Sequence, residues 1–198
     1  MQPRKRSQTG LKEGTHSALV EAARRTFLKL GYQGATLDRI AAEAGYTKGA
    51  VYWHFKSKEA LFLELLAGAL RRNLDALGGV VKVARDDPDH LEREIAAYID
   101  RQLEGTVPML ALELEIEARR NPSLAAVFQI IIVDHQGAIC RVLERYYAIV
   151  GREPPMPVEE LAALFLVLAE GAALQRQTRP DREVDVASAV KILLGMAA

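Results

Sequence analysis

The segment from Thr36 to Lys58, TLDRIAAEAGYTKGAVYWHFKSK, constrains the fold of this chain more than any other. Leu37, Ile40, Ala41 and Ala44 recur at i, i+3, i+4 and i+7, one apolar face of a helix that Thr36 opens. Gly45 stands where the helix must turn left-handed to stop, which a residue without Cβ does freely. Thr47 is placed to cap a second helix, in which Val51 and Phe55 form a buried i, i+4 pair. Two short helices about a glycine turn have the geometry of a helix-turn-helix.

The flanking sequence reads as helix throughout. Residues 1–13 are polar and are expected to form a flexible tail, with Arg4, Lys5, Arg6 and Lys12 on it. A first helix carries Leu19, Ala22, Ala23, Phe27 and Leu30 on one face and stops at Gly31; Tyr32 and Ala35 lead on. Ser57 opens a fourth helix with Leu61, Phe62, Leu65, Leu66 and Ala69 inward, expected to end near Gly78-Gly79. Asp87 and Pro88 start a fifth, on which Ile95, Tyr98, Ile99 and Leu103 face the core. Residues 110–117 alternate with period two, as a half-buried strand would. Their Leu, Ala and Glu are strong helix formers, and no second strand is available for pairing, so the segment reads as helix up to Asn121-Pro122.

A long helix follows, marked by Leu124, Val127, Phe128, Ile131, His135, Ala138, Val142 and Tyr146. The eighth helix, about Val158 to Gln177, is apolar on every side from Leu161 to Leu174 except at Glu170. Such a helix has to be covered on every side, so part of its cover is expected from a second subunit. Val186, Val190, Leu193 and Leu194 mark a ninth. The expected fold is all-α, with a three-helix head over residues 1–58 and a body of about six helices over 59–198.

Composition narrows the function. The one cysteine, Cys140, excludes an internal disulfide and a cysteine metal site. No metal and no cofactor are expected. With four dispersed histidines and no HExxH, phosphate loop or nucleophile elbow, there is no catalytic constellation, so no enzyme is expected. The N-terminus lacks the apolar run of a signal peptide, and the tract from Leu161 to Leu174 is shorter than the ~20 residues a bilayer requires. A cytoplasmic protein without a membrane partner is expected. Residues 1–60 hold 11 Lys and Arg against 5 Asp and Glu, a net +6, whereas the remainder holds 15 against 21, a net −6. A basic head on an acidic body suits a polyanion at one end.

Within the head, Lys48 and Lys58 fall in the first turns of their helices, where a cation opposes the helix dipole. That placement suits a bound phosphate, to which Thr36 and Thr47 can add hydroxyl contacts. Tyr52, Trp53 and His54 follow one another on a helix whose inner side is already taken by Val51 and Phe55. Gly49 and Ala50 are small enough to let the helix backbone approach base edges.

The segment resembles the DNA-binding signature of the tetracycline-repressor-like (TetR) family over about residues 15–66. The matching positions are Thr36, Ile40, Ala41, Ala44, Gly45, Tyr46, Thr47, Lys48, Gly49, Val51, Tyr52, His54, Phe55, Lys58, Glu59 and Leu61. Tyr46 replaces a usual smaller aliphatic and is expected to pack. Glu170 to Gln175 is similar to the family's penultimate helix.

The resemblance implies a homodimeric transcriptional regulator, usually a repressor, that leaves its double-stranded operator when a small-molecule effector enters the body. Control by a protein partner, or by no effector, is the alternative. It implies Lys48, Gly49, Ala50, Tyr52, Trp53 and His54 toward DNA, and Thr36, Thr47 and Lys58 on phosphates. The last two helices would form the dimer interface, through Leu161, Leu164, Phe165, Leu168, Ala172, Val190 and Leu194. Candidate effector-pocket residues are Tyr98, Met109, Glu113, Phe128, Ile132 and His135, bulky or polar groups near apolar faces of the middle helices.

Overall fold

The structure is a computed structural model that describes residues 8–83, 87–181 and 184–196. Among these residues there are nine helices and no strand. The chain divides into two compact units, Met1–Leu66 and Ala67–Ala198.

The head comprises α1 (Gln8–Gly34), α2 (Leu37–Ala44), α3 (Lys48–His54) and the opening turns of α4 (Lys58–Val83). The helix α1 begins at Gln8, so residues 8–13 are helical where a tail was expected; Arg4, Lys5 and Arg6 lie outside the described residues. At the other end α1 runs on to Gly34 through a kink at Gly31 (φ 67°, ψ 172°), a backbone conformation that only glycine adopts without strain.

The head's core explains why it extends past residue 58. Leu61, Phe62, Leu65 and Leu66 of α4 are buried together with Leu19, Phe27, Tyr32, Ile40, Val51 and Phe55. The Phe62 ring lies 4.4 Å from Phe27 and 5.2 Å from Tyr32. Two short helices and α1 cannot bury these rings without α4.

Beyond the head, α4 passes through Gly78 and Gly79 to Val83. Neither glycine takes the left-handed conformation that ends a helix. The body continues with α5 (Pro88–Glu104), α6 (Val107–Ala118), α7 (Pro122–Val150), α8 (Val158–Thr178) and α9 (Val186–Leu193). Side-chain caps open three of them, with Asp87, Asn121 and Asp185 accepting from His90, Leu124 and Ser188 amides. The alternating segment at 110–117 is helical, as local propensity requires without a pairing strand.

One apolar cluster holds α5, α7, α8 and α9 together, through Leu91, Ile95, Ile99, Ile139, Leu143, Tyr146, Phe165 and Val190 among others. Tyr146 donates to Glu92 at 2.8 Å, tying α7 to α5, and Lys191 pairs with Asp100 at 2.8 Å, tying α9 to α5.

Two helices keep an apolar side outward. On α8 the inner face is Leu161, Ala162, Phe165, Ala169, Ala172 and Ala173, while Val167 (64% exposed) and Leu174 face out. On α7 Val127, Ile130 (70%) and Val133 (56%) are exposed. By length and composition α7 is also the one described helix able to cross a membrane, a property the sequence reading did not register. Within the body it packs on α5, α6 and α8.

Candidate nucleic-acid interface

The turn between α2 and α3 is set by two caps and a glycine. The Thr36 hydroxyl accepts from the Arg39 amide at 3.2 Å, and Thr47 accepts from Ala50 at 3.3 Å. Gly45 (φ 73°) donates to the carbonyl of Ala42, and the next amide, Tyr46, donates to Ala41. This left-handed closure satisfies the last carbonyls of α2 and redirects the chain into α3. Both threonine oxygens are used as acceptors, which leaves each O–H free to donate outward. Tyr46 does not pack as expected; it is 39% exposed at the turn.

In α3 Val51 faces inward and Phe55 caps the C-terminus, its amide bonded to the Val51 carbonyl at 2.8 Å. Tyr52 (51% exposed) and Trp53 (65%) therefore stand on the outer side. Lys48 and Gly49 are exposed with them, Ala50 is half-buried, and the nearest atom to a Cβ at Gly49 would be 3.9 Å away. Lys48 Nζ meets Asp38 Oδ2 at 2.8 Å and lies 5.6 Å from the Tyr52 ring. The hydrogen bond and charge of Asp38 raise the Lys48 pKa, so the cation is retained.

Lys58 is placed differently from Lys48. Its ammonium donates to the carbonyls of Tyr32 (2.8 Å) and Ala35 (3.2 Å) and lies 4.1 Å from the Tyr32 ring. In this arrangement the lysine joins the start of α4 to the end of α1. Glu59 beside it accepts from the Tyr32 hydroxyl at 2.8 Å. Its carboxyl is held below the usual value, first by a bond from its own backbone amide.

His54 is half-buried, with its ring 4.6 Å from Trp53 and 5.5 Å from His16 of α1. Desolvation, then the neighbouring His16, lowers its pKa. His16 in turn meets Glu64 at 2.7 Å. Lys12 of α1 lies 5.0 Å from the Trp53 ring. The sequence reading singled out neither His16 nor Glu64. Both lie outside the helix-turn-helix, and their only signal was a histidine in the first helix with a glutamate on the fourth.

The body's candidates are scattered. Tyr98 lines a narrow void of about 30 Å³ walled by Ile95, Ile139, Leu161, Phe165, Leu168 and Val190 among others. Its hydroxyl is buried without a partner, and burial raises its pKa. Phe128 and His135 are buried and Met109, Glu113 and Ile132 half-buried, but none of these five lines that void. His135 leaves Nδ1 unpartnered, and burial pushes its pKa down to about 4.

Of the expected interface residues, Leu161, Phe165, Ala172, Val190 and Leu194 are buried in the subunit's own core and Leu164 and Leu168 are half-buried. The spacing on α8 had pointed to the apolar positions but not to which of them the body itself covers. The uncovered ones are Val167 and Leu174, joined on α7 by Val127, Ile130 and Val133.

A capped α3 with a solvent-facing side, following α2 across a left-handed glycine turn, is a helix-turn-helix. The profile "Bacterial regulatory proteins, tetR family" matches residues 19–65. The chain is 40% identical over 77 residues to the HTH-type transcriptional repressor AcnR of Corynebacterium diphtheriae, covering 38% of this chain and 40% of that one. With AcnR of Corynebacterium glutamicum it shares 30% over 126 residues, 61% of this chain and 57% of that relative. The chain thus spans about half the length of the relatives it matches. The fold is similar to that of the transcriptional regulator FadR from Bacillus subtilis, solved in complex with stearoyl-CoA (TM-score 0.68, 16% identity, covering 91% of this chain and 96% of that one). Residues 19–65 are thus similar to the N-terminal segment of tetR-family regulators.

Proposed function

We propose that this chain is one subunit of a homodimeric DNA-binding transcriptional regulator, a repressor that a small molecule releases from its operator. The observation that carries the reading is the outer side of α3, where Tyr52 and Trp53 stand exposed beside Lys48 and Gly49 on a Thr47-capped helix. Half or more of each ring's surface stays exposed within the subunit, whereas a groove offers it sugars, thymine methyls and phosphates. Lys48, Thr36 and Thr47 supply cation and hydroxyl donors for the backbone.

The second subunit is supported by α7 and α8. Ile130 and Val133 on α7 and Val167 on α8 are exposed apolar side chains, which a subunit interface would cover. The charged positions Asp134, Arg141, Glu144 and Arg145 follow closely on α7, which suits a protein face rather than a bilayer. A dimer supplies two recognition helices for half-sites ~34–36 Å apart.

Release by a ligand is supported by the relatives' kind and by the unpartnered Tyr98 hydroxyl in an apolar setting. A void of about 30 Å³ holds a water or two, so a ligand there has to part α5, α7, α8 and α9. Differential affinity for the parted state then shifts the equilibrium. The helix α4, shared by both units, provides a covalent path to the head.

The test is selection of duplexes from a random pool, followed by a thermal-shift screen of small molecules with and without the selected duplex. Enrichment of a two-half-site sequence, and a compound that stabilises the free protein while weakening DNA binding, are expected. Binding of all duplexes alike at physiological salt overturns the reading.

A further inference from the structure

His16 is engaged on two sides at once. Its Nε2 lies 2.7 Å from Glu64 Oε1 on α4, and its ring stands 5.1 Å from Phe55 and 5.5 Å from His54. Those two residues end α3, which is only seven residues long. A helix that short has little stability of its own and is held where its ends are touched. Phe55 already packs into the core; His54 is the next residue outward, adjoining Trp53 at 4.6 Å.

We propose that His16, oriented by its bond to Glu64, is a positioning residue for the recognition helix. It holds His54, and through it the orientation in which Tyr52 and Trp53 are presented. The inference rests on the reading that the head binds DNA.

Burial first, and then the neighbouring His16, oppose a proton on His54. Glu64 on α4 lies 2.7 Å from His16, while His54 faces that ring from α3 and Lys12 from α1 lies against the adjoining Trp53. A second cation on His54 would meet His16 and Lys12, and would have to leave a half-buried site. The His54 pKa is accordingly held below its usual value, with its ring packed against the one that Glu64 anchors. Removing His16 takes away both the packing and the repulsion.

Trp53 is the one tryptophan in the chain and stands edge-on to His54, so its emission reports on that imidazole, which quenches indole fluorescence when protonated. In the full-length protein the Trp53 emission midpoint should lie below the usual histidine range, and His16→Leu should raise it by about half a pH unit or more. With a fluorescein-labelled duplex selected on the wild-type protein, His16→Leu should weaken binding about fivefold or more at pH 7.5. A scrambled duplex should be bound as before. Should His16→Leu fail to fold, Glu64→Gln, which keeps the side-chain shape, should show the same loss of selected-duplex affinity.

A midpoint shift with unchanged affinity overturns the inference, because His16 then touches His54 without positioning the helix. Lost affinity with an unmoved midpoint also overturns it, because the loss then does not pass through His54. Wild-type affinity in a folded Glu64→Gln protein does so too. If the wild-type protein enriches no duplex, the DNA-binding reading falls and this inference falls with it; enrichment followed by wild-type behaviour of the variants overturns this inference alone.

Discussion

The ammonium of Lys58 donates to the carbonyl of Tyr32 at 2.8 Å and lies 4.1 Å from the ring of the same residue. The contact closes α4 onto the end of α1, with Ala35 contributing the second carbonyl at 3.2 Å. Lys58→Ala should therefore act mainly through stability. Leaving two carbonyls near buried residues without their donor costs about 1–3 kcal/mol. Chemical denaturation should show that loss, while the salt dependence of DNA binding stays as in wild type. A slope reduced by one phosphate contact, with stability unchanged, would return Lys58 to the DNA backbone.

Lys48 carries the opposite expectation. It is exposed and its ammonium meets Asp38 at 2.8 Å, a partner that a phosphate can replace. Lys48→Ala should lower the slope of log affinity against log salt by about 0.9, with the fold unaffected. Asp38→Ala should tighten binding by releasing the lysine. Equal slopes in Lys48→Ala and wild type would count against the phosphate contact.

These two lysines show how far the sequence could be read. Both stand in the first turn of a helix, and from spacing alone they look alike. The difference lies in what the third dimension brings within reach, a carboxylate for one and two backbone carbonyls for the other. The turn itself was legible because Thr36, Gly45 and Thr47 act locally, through caps and a left-handed residue. The end of α4 was not, because Gly78 and Gly79 weaken a helix without forcing it to stop, at about 1 kcal/mol each. The exposed side of α7 was missed for a similar reason. Residues 127–133 are apolar almost all round, so no periodicity separates Phe128, which is buried, from Ile130, which is not.

The body should respond to pH through one buried and one half-buried group, with effects of opposite sign. His135 titrates near 4 in the folded chain against an ordinary 6.5, since burial disfavours its cation. Between those values the unfolded chain holds the extra proton, so this group's contribution is present above 6.5 and lost as pH falls toward 4. Glu170 is pushed up to about 7 from 4.5, first by burial and then by Glu115. Between those values the folded chain holds the proton, so its contribution is present below 4.5 and lost as pH rises through 7. Glu170→Gln should leave stability unchanged at pH 4.5 and raise it at pH 7.5. Discounted for partial exposure, the gain is about 1–2 kcal/mol. Denaturation of variant and wild type at both pH values checks this, and an equal difference at the two would refute it.

The proposed dimer surface gives a sharper contrast between positions. Ile130 is 70% exposed on α7 and Val167 64% on α8, so an arginine at either fits the folded subunit without entering its core. Leu161, on the inner face of α8, is 2% exposed, and an arginine there has no solvent to reach. Ile130→Arg and Val167→Arg should give folded monomers, seen as a halved mass by light scattering with helical circular dichroism retained. Leu161→Arg should fail to fold, because an unpaired charge in such a site costs several kcal/mol, a large part of what holds a domain together. Monomers that bind the selected duplex far more weakly would link the α7 and α8 surface to the two-half-site requirement. A stable dimer in both exposed-site variants would move the subunit contact elsewhere on the body.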